Sequence, residues 1–177
     1  MRYLTYGLLI ISAGCSSNGF DRKHARNNLT KQAEETSQSM LKEDHQKMAH
    51  FTHPTVVEQV GGRDRFIEML TSLAATMKQK GVRFTAAKVS EPSEIIEKAG
   101  KLYAIVPSSL KLDVQGQRRS QASYLIAVSS DGGKNWKFLD GTGPRGDRSK
   151  VREILPDFPD ALPLPKIEPP ALEEEIP

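Results

Sequence analysis

His45, His50 and His53 are the most closely spaced histidines in the sequence and invite a metal reading. Their intervals of five and three residues do not give the shared face of an i, i+4 histidine pair, and His53 stands directly before Pro54, which ends a helix. They read as surface histidines, and no metal or other cofactor is predicted. Acid–base chemistry would instead need a carboxylate or a histidine held beside a tyrosine in a water-poor pocket. Asp113 lies between Leu112 and Val114 and so points away from whatever those two bury, while Asp44 sits with Lys42 and Glu43 on a polar helical stretch. Tyr103 and Tyr124 fall on strand-like segments, where they can line a pocket or serve as core residues with hydroxyls reaching the rim. No set of these completes a constellation, so no catalytic residue is assigned. One reactive group remains. Cys15 is the only cysteine, and a lone thiol has no internal disulfide to make.

Positioning any site falls to a chain of 177 residues, 37% hydrophobic, enough for one domain with a core. Leu29, Ala33, Met40, Leu41, Met48 and Phe51 recur at helical spacing, which predicts one long amphipathic helix stopped by His53-Pro54. After a short segment over 55–60 and Gly61-Gly62, a cleaner stripe follows in Phe66, Met69, Leu70, Leu73, Ala74 and Met77, opened by Asp64 and closed by Gly81. Its methionines read as core filler. Residues 83–140 then alternate with period two between turn signals. Lys98-Ala99-Gly100-Lys101 and Gln115-Gly116-Gln117 are tight reversals, Pro107-Ser108-Ser109 reads as a bulge or bend, and Ala122, Tyr124, Ile126 and Val128 share one face. The predicted fold class is α+β, with N-terminal helices packed on the concave face of a curved antiparallel sheet of four to five strands.

Three stretches resemble known patterns. Met1-Arg2 and the apolar run Leu4, Tyr6, Leu8, Leu9, Ile10 and Ile11, too brief to span a bilayer as a mature helix, lead into Ser12-Ala13-Gly14-Cys15. That tetrapeptide resembles a bacterial lipobox, with Ser12 where the family prefers an aliphatic residue. The resemblance implies a signal peptide and lipobox over 1–15, acylation of Cys15 and cleavage just before it. The polar residues 16–28 would form a tether. Ser16 in place of aspartate implies the bacterial cell envelope, lipid-anchored at the outer membrane and facing the periplasm. Residues 29–143 resemble the nuclear transport factor 2-like (cystatin-like cone, polyketide-cyclase-like) superfamily, through Met48 to Pro54, Gly61-Gly62-Arg63-Asp64-Arg65-Phe66 and Trp136 to Gly141. Such domains often enclose a pocket between sheet and helices, which makes Phe66, Leu73, Tyr103, Tyr124 and Trp136 the candidate lining residues here. Finally, Ser129-x-Asp131-x-Gly133-x-x-Trp136 is similar to the Asp-box of sialidase-like propellers. A single copy in a chain this short implies one structural hairpin and no propeller.

Lysine and arginine total 25 against 22 acids, unevenly placed: residues 153–177 hold seven acids against Lys166, leaving 24 bases against 15 acids elsewhere. No basic cluster is interleaved with aromatics, so no nucleic-acid partner is predicted. Residues 144–177 form a Pro-rich acidic segment, with seven of the eleven prolines at or after Pro156. Ile154, Leu155, Phe158, Leu162 and Leu164 among them predict docking as far as about Leu164 and disorder beyond. Apolar residues of both parities along 102–106 and 124–128 predict a sheet covered on both sides, and a homodimer through an exposed sheet face is one way to cover it. The expectation is a lipid-anchored envelope protein whose domain binds a small ligand of unknown identity, or a protein partner, without catalysis. The alternative is an isomerase- or cyclase-like enzyme acting on a small hydrophobic molecule. A carbohydrate-binding module is the weaker alternative, and its mark would be an exposed Trp136.

Overall fold

A computed structural model describes residues 20–172. Cys15, the signal-peptide stretch and Glu173-Glu174-Glu175 lie outside the described residues. The first helix, α1 (Arg22–Leu41), starts inside the stretch expected to be a tether. The Asp21 carboxylate accepts from the His24 amide at 3.0 Å, and Ala25, Leu29 and Ala33 are fully buried one turn apart. The tether expected as far as Asn28 is therefore corrected: the buried stripe opens on an alanine, which a reading keyed to large apolar side chains passes over. The single long helix expected next is also two. Glu43 takes φ 52, and Asp44 caps α2 (His45–Phe51) by accepting from the Lys47 amide at 3.0 Å. After α3 (Pro54–Gln59) comes α4 (Arg63–Gln79), of which only Phe66 is buried.

Six strands follow rather than four or five: β1 (Val82–Val89), β2 (Ile96–Lys98), β3 (Lys101–Val114), β4 (Gln117–Ser129), β5 (Lys137–Asp140) and β6 (Ala171–Leu172). The β3–β4 hairpin is the spine, closed by a turn in which Gln115 and Gly116 both have positive φ. β1 and β2 lie in succession along the free side of β3, and β5 and β6 along the free side of β4, all antiparallel. The bulge expected at Pro107-Ser108-Ser109 is absent, since these residues pair in unbroken register with Tyr124, Ser123 and Ala122. The Pro107 carbonyl accepts from the Ser90 amide at 2.8 Å, just past the end of the β1 ladder. A strand residue's N and C=O point the same way, so the missing N–H of Pro107 faces that gap and costs no bond to β4. The irregularity sits in β1, between Phe84 and Ala86.

Each face of the sheet has its own core. On one, Leu102, Ala104, Val106, Ala127 and Phe138 pack with Ala25, Leu29, Ala33, Phe51 and Trp136. On the other, Tyr103, Ile105, Tyr124, Ile126 and Val128 are covered by α5 (Arg148–Ile154) and the proline-rich chain after it, through Val151, Leu155, Phe158 and Leu162. Arg148 pins that cover, donating to the Pro159 carbonyl at 2.8 Å and the Leu162 carbonyl at 2.7 Å with its guanidinium over the Phe158 ring. Docking continues past Leu164, through half-buried Ile167 to the pairing of β6 with Arg119 and Ser120. The face expected to be open to a second copy is thus occupied by the chain's own tail.

Candidate functional site: a cavity between helices and sheet

The helices do not close down on the whole sheet. Near α4 they leave a cavity of about 560 Å³, within the range of small-molecule sites. Leu110, Leu125 and Phe138 form its sheet wall, and Met40, Met48, Phe66 and Leu70 its helical wall. Ser108 and Ser123 are the hydroxyls on the strands, Thr36, Ser37 and Thr52 add hydroxyls from the helical side, and Asp140, Thr142, Lys150 and Glu153 complete the polar lining. Asp140 is exposed, and one of its carboxylate oxygens already accepts from the Thr142 amide at 2.8 Å. A smaller cavity of about 180 Å³ shares Met40, Met48 and Leu70 with it and extends to the start of β1. Its polar groups are Glu43, His45, Lys78 and Arg83. Lys78 pairs with Glu43 at 2.7 Å, joining the α1–α2 turn to the last turn of α4, and His45 Nδ1 lies 2.9 Å from the Thr71 hydroxyl.

The sequence candidates divide by strand parity. Phe66 lines the larger cavity and Leu73 the smaller, with Leu73 itself 53% exposed. Tyr103 and Tyr124 line neither; they point to the far face, where Tyr103 packs edge-on against Phe158 and the Tyr124 hydroxyl accepts from the Gly146 amide at 3.0 Å. Burial first, then the Asp157 carboxylate, raises the Tyr103 phenol above its ordinary value. Trp136 is fully buried beneath α1 and lines neither cavity, which removes the exposed ring that marked the carbohydrate-binding alternative. The residues missed, Leu110, Leu125 and Phe138 among them, share the sheet face with Leu102 and Val106. Their signal is a parity opposite to that of the tyrosines. A carboxylate beside a tyrosine is not assembled among the lining residues of the larger cavity.

The histidines stay apart. His50 is exposed, and its pKa is lowered by partial desolvation and then by the Lys137 ammonium, which donates to the His50 carbonyl. Half-buried His53 precedes α3, its pKa lowered first by burial and then by Lys101. Among the described residues no three His, Cys, Asp or Glu side chains converge as a metal site would require.

The Asp-box is a closed turn that docks a helix. Asp131 accepts from the Ser129 hydroxyl, the Lys134 and Asn135 amides and the Asn135 side chain. Partial desolvation would raise its carboxyl, but these bonds outweigh it and hold the pKa below the ordinary value. Its backbone is read by α1: Asn28 donates to the Gly133 carbonyl and Gln32 to the Lys134 carbonyl, both at 2.9 Å, while the Gln32 side-chain oxygen accepts from the Trp136 amide at 2.8 Å.

The fold and site therefore define an α+β domain with an apolar cavity between its helices and one face of a curved antiparallel sheet. No family profile and no curated protein matches the sequence. Among solved structures, an LEH-like epoxide hydrolase from M. tuberculosis is similar with a TM-score of 0.39 and 16% identity, over 75% of this chain and 98% of that one. A likeness this loose carries no residue roles across.

Proposed function

We propose that this chain binds a small apolar molecule, or the apolar part of one, between its helices and its sheet. It does so as a cone-shaped domain of the nuclear transport factor 2-like kind, held at the bacterial cell envelope by an acylated Cys15. The observation that carries the binding is the larger cavity, into which Met, Leu and Phe side chains from three helices and three strands project beside a minority of polar groups. Apolar walls facing open space forfeit the dispersion contacts that a packed core would make, and a ligand of matching chemistry restores them. The flexible thioethers of Met40 and Met48 suit an adaptable wall. The anchor rests on Ser12-Ala13-Gly14-Cys15 alone. A homodimer through the sheet does not enter this reading, because the tail would first have to leave the far face.

The test is binding of an environment-sensitive naphthylamine dye, together with native mass spectrometry of chain purified from its own host. Saturable binding at one site, abolished by Leu110→Trp with the fold intact by circular dichroism, is expected. Dye binding that the tryptophan leaves unchanged would overturn the cavity as the site. Palmitate labelling of the intact cells checks the anchor separately, and should vanish in Cys15→Ser.

A further inference from the structure

The cover on the far face stops short of the hairpin's end. The tail packs over Tyr103, Ile105 and Tyr124 as far as Ile167 and then moves to the β4 edge, where Gln121 donates to the Glu168 carbonyl at 3.5 Å and Leu172 pairs with Arg119. Past Tyr124, residues of the same parity are open to solvent, with Ser109, Lys111, Arg118 and Ala122 all exposed.

This open half is basic. Directly opposed residues of antiparallel strands share a face, so Arg83 and Lys88 of β1 join Lys111 of β3 and Arg118 of β4 on it, through the pairs Arg83–Asp113, Lys88–Ser109 and Asp113–Arg118. The carboxylate among them is engaged: Asp113 accepts from the Gly116 amide at 2.8 Å and lies 3.8 Å from the Arg83 guanidinium. Only small side chains, Ser109, Ser120 and Ala122, stand between the cations.

The chain's own acids begin beside it. In β6, Ala171 is opposite Ser120 and Leu172 opposite Arg119, so the next residue in that antiparallel register, Glu173, falls at Arg118. Residues 173–177 read Glu-Glu-Glu-Ile-Pro. Five extended residues reach about 17 Å. The order β6, β4, β3, β1 sets three interstrand spacings between the last described residue and Arg83, a distance of about 14 Å. The terminus is long enough to cross the whole open half.

We infer that this basic half-face is the docking site of the chain's own acidic terminus, with the Glu173, Glu174 and Glu175 carboxylates over Arg118, Lys111 and Arg83 as an electrostatic latch on the tail. A tether this short keeps the acids at an effective concentration of about millimolar, so an outside anion must displace them before it reaches the face. The latch does not depend on what the cavity binds.

The experiment couples amines to carboxylates in contact, using a water-soluble carbodiimide on the full chain purified from its own host in a non-ionic detergent. The ion pairs Lys78–Glu43 and Lys47–Glu35, at 2.7 and 3.0 Å, are the internal standard. Peptide mapping is expected to join Lys111 or Lys88 to residues 173–175 of the same chain, at a yield unchanged by dilution and cut about fivefold by about 0.5 M salt. On a heparin column, Glu173→Gln/Glu174→Gln/Glu175→Gln should elute at salt higher by roughly 0.1 M than wild type. Adding Arg83→Gln and Arg118→Gln to it should bring elution back. Coupling at the standard pairs but none to 173–175 would overturn the latch. Products only between copies, at a yield that falls on dilution, would place the acids on a second molecule and overturn it as an intrachain contact. Equal retention of wild type and the triple glutamine variant would show that the acids do not screen this face, and would overturn it too. Thermal unfolding of each variant separates lost contact from lost fold.

Discussion

Gly133→Ala tests whether the Asp-box turn is the dock for α1. Gly133 has φ +86, and a β-carbon placed on it would overlap the Ala25 methyl and lie 2.8 Å from the Ala25 α-carbon. The left-handed backbone costs an alanine roughly 1–2 kcal/mol, and forcing a methyl into a filled space typically costs about 1–3 kcal/mol. The total, about 2–5 kcal/mol, lowers Tm by about 4–20 °C in a chain of this size. Trp136 is the sole tryptophan, fully buried under the same helix, so urea unfolding followed by its fluorescence reports on the right place. The partner variant Ala25→Gly costs about 1 kcal/mol on its own as a helix glycine. Combined with Gly133→Ala it removes the methyl–methyl overlap but leaves the φ strain and the crowding against the helix backbone. The double variant should therefore recover about 1 kcal/mol relative to the sum of the singles. Gly133→Ala unfolding within about 0.5 kcal/mol of wild type, or strict additivity in the cycle, would refute the docking argument.

Three further outcomes follow from the same structure. Phe158→Ala removes a fully buried ring that meets Tyr103 edge-on, a loss worth about 3–5 kcal/mol. The tail should then become the first site of limited proteolysis, and a digestion pattern identical to wild type would show that Phe158 does not hold it. Asp131 has a lowered folded pKa, so its contribution is full above the ordinary carboxylate range and is lost as pH falls through the lowered value. Asp131→Asn should cost about 1–2 kcal/mol at neutral pH, toward the low end for bonds to a charged group because the turn is exposed. That gap should close in acid, and urea titrations showing a constant gap would contradict it. Glu43→Gln breaks a half-exposed ion pair to Lys78, so stability should change by less than about 1 kcal/mol. Release of a cavity-bound dye should quicken as α4 loses that tie, and stopped-flow rates equal to wild type would count against α4 as the cover.

Period and turn chemistry make the class and most of the sheet legible. Ala99-Gly100 and Gln115-Gly116 reverse the chain where their residue types say they should, each pair with positive φ. What the sequence hides is anything decided by residues distant along the chain. Ala25 is buried because Gly133 leaves room for it, a fact that neither residue carries alone. Pro107 reads as a break because proline lacks a donor, and it is harmless only because β1 ends beside it. The break at Glu43 is hidden because the hydrophobic period continues across it, and only the Asp44 cap marks the restart. The tyrosines draw attention to the wrong face. Large amphipathic rings suggest a pocket, but their parity matches the core that the tail covers, whereas the cavity is walled by plain aliphatics of the other parity.

That division of faces has a cause in the spine itself. Along 102–106 and 124–128 both parities are apolar, so the β3–β4 hairpin must be covered twice. The N-terminal helices supply one cover and the tail the other, and Arg148 fixes the second by holding two tail carbonyls and the Phe158 ring. Beyond Val106 the requirement relaxes: Pro107 and Ser109 are exposed, and Ser108 and Leu110 face a cavity rather than a packed helix. Met69 and Leu73 of α4, with Leu172 of β6, are the large apolar side chains left exposed among the described residues, and the two on α4 flank the cavity's cover. Apolar surface left uncovered beside apolar space left unfilled is the pairing that a bound apolar molecule would complete.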